Sequence, residues 1–291
     1  MRLKILGLCL AFLLGGSLCS AQQNPAAKQI DRNTVYCSGF VADHKLPSES
    51  YVISGEQSSD KLTFSQGDYV YINRGQSQGV HEGDEFLVFR PVEDPVGFLW
   101  FDKQSTVIKE MGIVYEDEGR IKVVHTDPKV SIAKVIHGCN YMQRGDLIRP
   151  VEERAVPPLK DSAHFDHFAP PSGKGVGTVA LITEFAPAGG SSYTAYINIG
   201  SSQNLKVGDY VRMFRYQGKT KEYIPTYRNM QYDALDYHVL YGKAPQPYTS
   251  KDLPREVLGE GIVLNVSAKS ATVLITTAST AIYAGDFVEP E

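Results

Sequence analysis

The chain has 291 residues, 42% of them apolar and 21% charged, with a formal net charge of −4. An acidic balance with scattered basic residues gives no electrostatic attraction to nucleic acid, and no polybasic run suits anionic lipid. Beyond its first residues the chain has no run near the ~18 apolar residues of a membrane helix, which predicts an exported, soluble protein without an integral membrane span.

Residues 1–21 read as a secretory signal peptide. Arg2 and Lys4 start it, Ile5 to Leu14 are apolar, and Cys19-Ser20-Ala21 places small residues at a cleavage position. Lipidation of Cys19 fits less well, because Leu18 stands where a lipoprotein signal wants Gly, Ala or Ser. Cleavage after Ala21 removes two bases and no acid, taking the net charge from −4 to −6. The expected location is periplasmic or secreted.

Residues 22–49 are a polar lead-in, expected to become ordered near Tyr36 to Phe40. Of four cysteines, Cys37 and Cys139 remain after cleavage. In an oxidising compartment they are either a disulfide or two thiols, since sequence does not report the Cα distance a bridge needs. A bridge would close a loop of about 100 residues, worth up to ~4.7 kcal/mol by the chain-entropy argument.

The first module, 50–154, shows strand candidates at Tyr69 to Asn73, Glu85 to Arg90, Gly112 to Tyr115, Arg120 to His125 and Val130 to Ile136. A linker, 155–174, carries two Pro-Pro pairs and predicts a semi-extended segment between mobile modules. The second module, 175–291, has strand candidates at Gly177 to Thr183, Tyr193 to Ile199, Tyr210 to Tyr216, Gly261 to Val266 and Ala271 to Thr276. Short strands rich in Val, Ile, Thr and Tyr, separated by Gly, Asp and Ser, predict an all-β fold of small barrels, SH3-like or sandwich.

The two modules are copies. Residues 71–90 and 196–215 agree at ten of twenty positions without a gap, a mark of a duplicated folding unit. Gly75, Gly83 and Asp84 recur as Gly200, Gly208 and Asp209. The closing Gly145-Asp146 recurs as Gly285-Asp286, now at an offset of 140 rather than 125. The modules therefore differ by net insertion in their middles. The shared glycines and aspartates are expected to form structural turns.

The largest difference is a Tyr-rich insert, 217–256, with Tyr223, Tyr227, Tyr232, Tyr237 and Tyr241 among interleaved bases. The first module has only a short counterpart there, containing Trp100. Tyr and Trp offer large contact faces at small entropic cost, so these residues are the expected contacts for a protein or glycan. Burial of the rings over the barrel is the competing reading.

Catalytic motifs are weak. Gly75-Gln76-Ser77-Gln78-Gly79 matches a nucleophile elbow, but a strand rather than a helix is expected after it, and the second copy replaces Gly79 with Asn204. His164-Phe165-Asp166-His167, with His125 and His137, shows no metal-ligand spacing. No metal or other cofactor is expected.

The pattern Tyr-Ile-Asn-x-Gly, then Gly-Asp, then an apolar strand ending in Arg, resembles the C-terminal domain of flagellar assembly protein T and related Gram-negative envelope proteins. Asn73, Gly75, Gly83 and Asp84 carry the resemblance, with Asn198, Gly200, Gly208 and Asp209. It implies a small β-barrel-like, non-catalytic assembly part of the periplasm. The expectation is a non-enzymatic scaffold or binding module meeting an envelope protein or cell-wall glycan. The alternative is a secreted hydrolase with its site between the modules.

Overall fold

A computed structural model describes residues 29–57, 59–92, 99–160, 166–216 and 254–291. The protein is all-β. The lead-in supplies helix α1 (Arg32–Tyr36) and strand β1 (Phe40–Ala42). Module 1 continues with β2 (Val52–Gly55), β3 (Thr63–Phe64), β4 (Tyr69–Ile72), β5 (Glu85–Pro91), helix α2 (Gln104–Met111), β6 (Ile113–Thr126), β7 (Ser131–Gly138), β8 (Met142–Gln143) and β9 (Leu147–Pro150). Module 2 contains β10 (Gly177–Ile182), β11 (Ala188–Gly189), β12 (Thr194–Ile197), β13 (Tyr210–Tyr216), β14 (Arg255–Val266), β15 (Ala271–Ala278), β16 (Ile282–Tyr283) and β17 (Phe287–Pro290).

Module 2 is a closed barrel in the order β10-β12-β15-β14-β13-β17. Module 1 repeats that order as β2-β4-β7-β6-β5-β9, with β1 added to β6. Its two edges also meet. Val52 N–H donates to Asp146 O at 2.8 Å, as Val179 N–H donates to Asp286 O at 2.8 Å in module 2. The small pairs β3–β8 and β11–β16 correspond as well. Duplication in sequence is thus duplication of a six-strand barrel, and closure removes the exposed edges an open sheet would leave.

Each barrel has its own apolar centre. In module 1 it is built by residues such as Val70, Ile72, Val88, Ile121 and Val135, and in module 2 by Ile197, Val211, Met213, Val263 and Val273. These alternate with outward residues along each strand, the period expected of a half-buried strand.

Two strands are longer than the sequence pattern predicts. Gly112 to Tyr115 and Arg120 to His125 are parts of one strand, β6, and β14 starts at Arg255 rather than Gly261. Gly119 and Gly259 look like turn residues but lie inside these strands at β-bulges. A Cβ there would stand 2.2 Å from His137 O and 2.3 Å from Thr277 O. Glycine is needed for close backbone approach across the bulge, not for a chain reversal.

The two modules pack against each other. Val41, Met111 and Val114 pack with Ala180, Leu181 and Tyr196 of barrel 2. Ile30 and Val35 join Ile262, Leu264 and Leu274, and Val156 and Leu159 of the linker pack on the same cluster. Gln104 Nε2 donates to Ala180 O at 2.9 Å, and Ser267 Oγ to Val41 O at 2.8 Å. Apolar side chains in the lead-in, α2 and the linker bury themselves against barrel 2, so a Pro-rich segment that reads as a spacer acts as a strap. Helix α2 spans only two turns, too short for its periodicity to stand out.

Candidate functional site

The repeated motif builds the same device twice. Arg90, on β5, makes paired bonds to Asp146, Nε to Oδ1 at 2.7 Å and Nη2 to Oδ2 at 2.9 Å. Arg215, on β13, does the same to Asp286 at 2.7 and 2.5 Å. Each guanidinium also lies over a tyrosine ring, Tyr141 or Tyr283. Each aspartate accepts a further backbone N–H, from Gln143 or Tyr283, at 2.7 Å. Planar two-point pairing of this kind fixes geometry as well as energy. The closing Gly-Asp is therefore a turn whose carboxylate clamps the strand ending in Arg. The sequence signal was that the Arg and the Asp recur together.

The remaining shared residues also serve the fold. Asn73 Oδ1 accepts Tyr51 N–H at 2.7 Å, and Asn198 Oδ1 accepts Thr178 N–H at 2.6 Å. Asp84 Oδ2 accepts His81 N–H at 2.9 Å, and Asp209 Oδ2 accepts Lys206 N–H at 2.8 Å. Gly79 and Asn204 share a left-handed conformation, with φ of 79° and 65°. Gly75 and Gly200 are needed for space instead: a Cβ would stand 2.3 Å from Asp127 O or 2.4 Å from Ser267 O. Gly75→Ala should therefore cost about 1–3 kcal/mol by overpacking against backbone. Gly79→Ala, strained only by its φ, should cost about 1–2 kcal/mol. Urea denaturation of the two variants checks the order, and a larger loss at Gly79 would refute it.

The segment Ser77 lies on is a 3-10 turn, Gln76–Gln78, followed after Gly79 by β5 and not by a helix. Among the described residues no histidine bonds to Ser77 Oγ. His125 instead meets Glu82 at 3.4 Å and Asp127 at 3.6 Å, on the surface. His167 Nε2 meets Glu256 Oε1 at 3.1 Å. His164, Tyr223, Tyr227, Tyr232, Tyr237 and Tyr241 lie outside the described residues. Trp100 is placed at the junction of the barrels, its indole N–H donating to Phe185 O at 3.1 Å.

Module 1 has two features that its copy lacks. The first is an acidic stretch inside β6. Asp117 is fully buried and pairs with Arg154 at 2.6 and 2.8 Å, while Gly39 N–H donates to its Oδ2 at 2.9 Å. Arg154 Nη1 also donates to Val35 O at 3.1 Å. The pair therefore joins the lead-in, β6 and the segment after β9. Glu118, the bulge residue, is also buried. Its only ion-pair partner among the described residues is Arg90, at 3.5 Å. Burial pushes the Glu118 carboxyl up to about 8, against the pull of Arg90 and with the push of Asp146, Glu116 and Asp117. Module 2 carries Val257 and Leu258 at the corresponding positions, both fully buried.

The second feature is an open outer face. On barrel 2, the outward residues Thr194, Tyr196, Thr272, Ile262 and Leu264 are buried, Tyr196, Ile262 and Leu264 by packing on the lead-in, α2 or the linker. The cross-strand register places Tyr69, Tyr71, Ile132, Lys122 and Val124 at the same points of barrel 1. These are half-buried or exposed, and beside them Tyr51 and Ile53 are each 38% exposed. Lys134 Nζ stands 5.9 Å over the Tyr69 ring. The face is a tyrosine-rich sheet surface bordered by lysines, with the composition of a recognition surface.

Together these features define the class as a duplicated-barrel all-β protein with one outer face covered and the other left uncovered among the described residues. No protein-family model and no curated protein matches the chain. Among the described residues no helix is long and apolar enough to cross a membrane.

Proposed function

We propose that this is a non-catalytic scaffold or binding module of the cell envelope, exported by its N-terminal signal and meeting a protein partner through the open face of barrel 1. The observation that carries this reading is the contrast between the two copies. The outer face that barrel 2 uses to bind barrel 1 is, among the described residues, half-buried to exposed in barrel 1, where it holds Tyr51, Ile53, Tyr69 and Tyr71. Hydrogen-bonding rings flanked by Lys122 and Lys134 suit an acidic or mixed protein surface, and also a glycan. The resemblance to the barrel-like domain of flagellar assembly protein T points to the same class of role.

The Tyr-rich excursion is the second contact region of this reading. Tyr216 pairs with Arg255 across β13 and β14, so residues 217–254 leave and re-enter the barrel at one place. Replacing 217–254 by a two-residue hairpin turn should leave the barrel folded, with a melting temperature within a few degrees of the parent. A collapse of the thermal transition would show that the excursion is part of the barrel.

Affinity capture from envelope extract tests the function, using the parent, the hairpin variant and a Tyr51→Ser, Tyr71→Ser double variant. Loss of one specific partner in the double variant, with unchanged circular dichroism, is the expected result. Unchanged capture in both variants would refute both contact regions. Pelleting with purified cell wall separates a glycan ligand from a protein. Ser77→Ala tests the hydrolase alternative, which stands only if that change abolishes a measured ester hydrolysis while the fold survives. N-terminal sequencing of the mature protein tests export.

A further inference from the structure

Cys37 and Cys139 are bonded to each other, with Cα atoms 5.3 Å apart and a sequence separation of 102. The bond ties the end of α1 to the end of β7, which is also the junction between lead-in and barrel 1. A third potential ligand stands beside it. His137 Nε2 is 3.4 Å from Cys37 Sγ, and the ligand atoms of Cys37, His137 and Cys139 all lie within 4.8 Å of one another, half-buried. Cys139 and His137 are two apart at the end of β7.

We propose that, once the disulfide is reduced, Cys37, His137 and Cys139 form a binding site for a thiophilic divalent cation such as zinc. Zinc takes thiolate at ~2.3 Å and imidazole at ~2.0–2.1 Å in tetrahedral geometry. Those lengths place a sulfur and a nitrogen ligand about 3.6 Å apart and two sulfurs about 3.8 Å apart. The Cys37–His137 separation of 3.4 Å is thus close to a tetrahedral edge. Only the two sulfurs must separate once the bond is reduced, and rotation of two cysteine side chains supplies that movement. The chemistry balances. A dithiol reductant gives two electrons and two protons to the Cys37–Cys139 bond and becomes a disulfide; the two thiols then release two protons to solvent as the cation binds. The fourth position is left to a solvent or partner ligand. The metal would keep α1 tied to β7 in the state where the covalent tie is lost.

The test is a cobalt(II) titration of the full chain before and after reduction by a phosphine, followed by displacement with zinc. The reduced protein should take up one cobalt per chain, with a thiolate-to-cobalt charge-transfer band and a tetrahedral visible spectrum. The oxidised protein should show neither. His137→Ala keeps both thiols and should weaken binding at least about tenfold. Cys37→Ser should abolish the tetrahedral spectrum. Circular dichroism follows the fold throughout. If reduction unfolds the lead-in, cation should restore the native spectrum. The proposal is overturned if the reduced chain binds no cobalt through thiolate, if His137→Ala binds as tightly as the parent, or if the reduced chain unfolds and cation does not restore it.

Discussion

Arg154→Ala is expected to remove about 3–5 kcal/mol of stability, the usual cost of leaving a buried charge without its partner. Asp117 is wholly buried, and the Arg154 side chain is 10% exposed. The Asp117 carboxyl sits above its ordinary range because of burial, even with Arg154 holding it down by hydrogen bonds and charge. Without the guanidinium, Asp117 would take a proton to avoid an unpaired charge. The destabilisation should therefore shrink as pH falls and be largest at neutral pH and above. The loss would be felt at the junction, because the same guanidinium holds Val35 O and the same carboxylate holds Gly39 N–H. A loss of this size is a large part of the ~5–15 kcal/mol typical of a folded domain. Urea denaturation at neutral and acidic pH measures it. The double change Asp117→Val with Arg154→Met copies the apolar solution of barrel 2, where Val257 fills the equivalent place. It should recover most of the loss. A double variant no better than Arg154→Ala would show that the pair contributes more than cancelled desolvation.

Glu118→Leu should do the opposite and raise stability by about 1–4 kcal/mol above pH 8. Both carboxylate oxygens are buried without a hydrogen-bond partner among the described residues. Leu258 shows that a leucine fits this position of the barrel, and Arg90 keeps its paired bonds to Asp146 after the change. The sign of the pH dependence follows from the raised carboxyl. Its ordinary value is 4.5 and its folded value is about 8, so between those limits the folded chain holds a proton that the unfolded chain has released. Stability then falls as pH rises from 4.5 to about 8, at up to ~1.4 kcal/mol per unit, and is constant in this respect outside that window. Glu118→Leu should flatten that slope. Denaturation midpoints across this range would reveal it, and a slope unchanged in the variant would assign the pH dependence to the other carboxyls raised by burial, Glu116, Asp117, Asp146, Glu260 and Asp286. The unpartnered carboxylate of Glu118 has no counterpart at the same position of barrel 2, where Leu258 stands.

Much of this architecture was readable from residues alone because turn and strand chemistry is local. Positive φ at Gly83 and Gly208, the left-handed Asn204 standing for Gly79, and the β-branched strands follow from neighbours in the chain. The repeat carried more than turns, though. Arg90 and Asp146 recur as Arg215 and Asp286, yet 56 and 71 residues separate the partners, so only closure of the barrel brings them together. The same distance effect hid Gly119 and Gly259, whose need for glycine comes from a carbonyl on the adjacent strand.

By itself the sequence determined an all-β chain built on a repeated motif, and which residues of that motif turn it. The tertiary structure decided how the copies meet. Burial of Val35, Met111 and Leu159 against barrel 2 depends on which apolar faces remain exposed after each barrel closes, and no local pattern encodes that. It also placed Cys37 beside His137 and Cys139 and, among the described residues, left the tyrosine face of barrel 1 open. These are consequences of packing between segments about 100 residues apart, which act only once the backbone has brought them within contact distance.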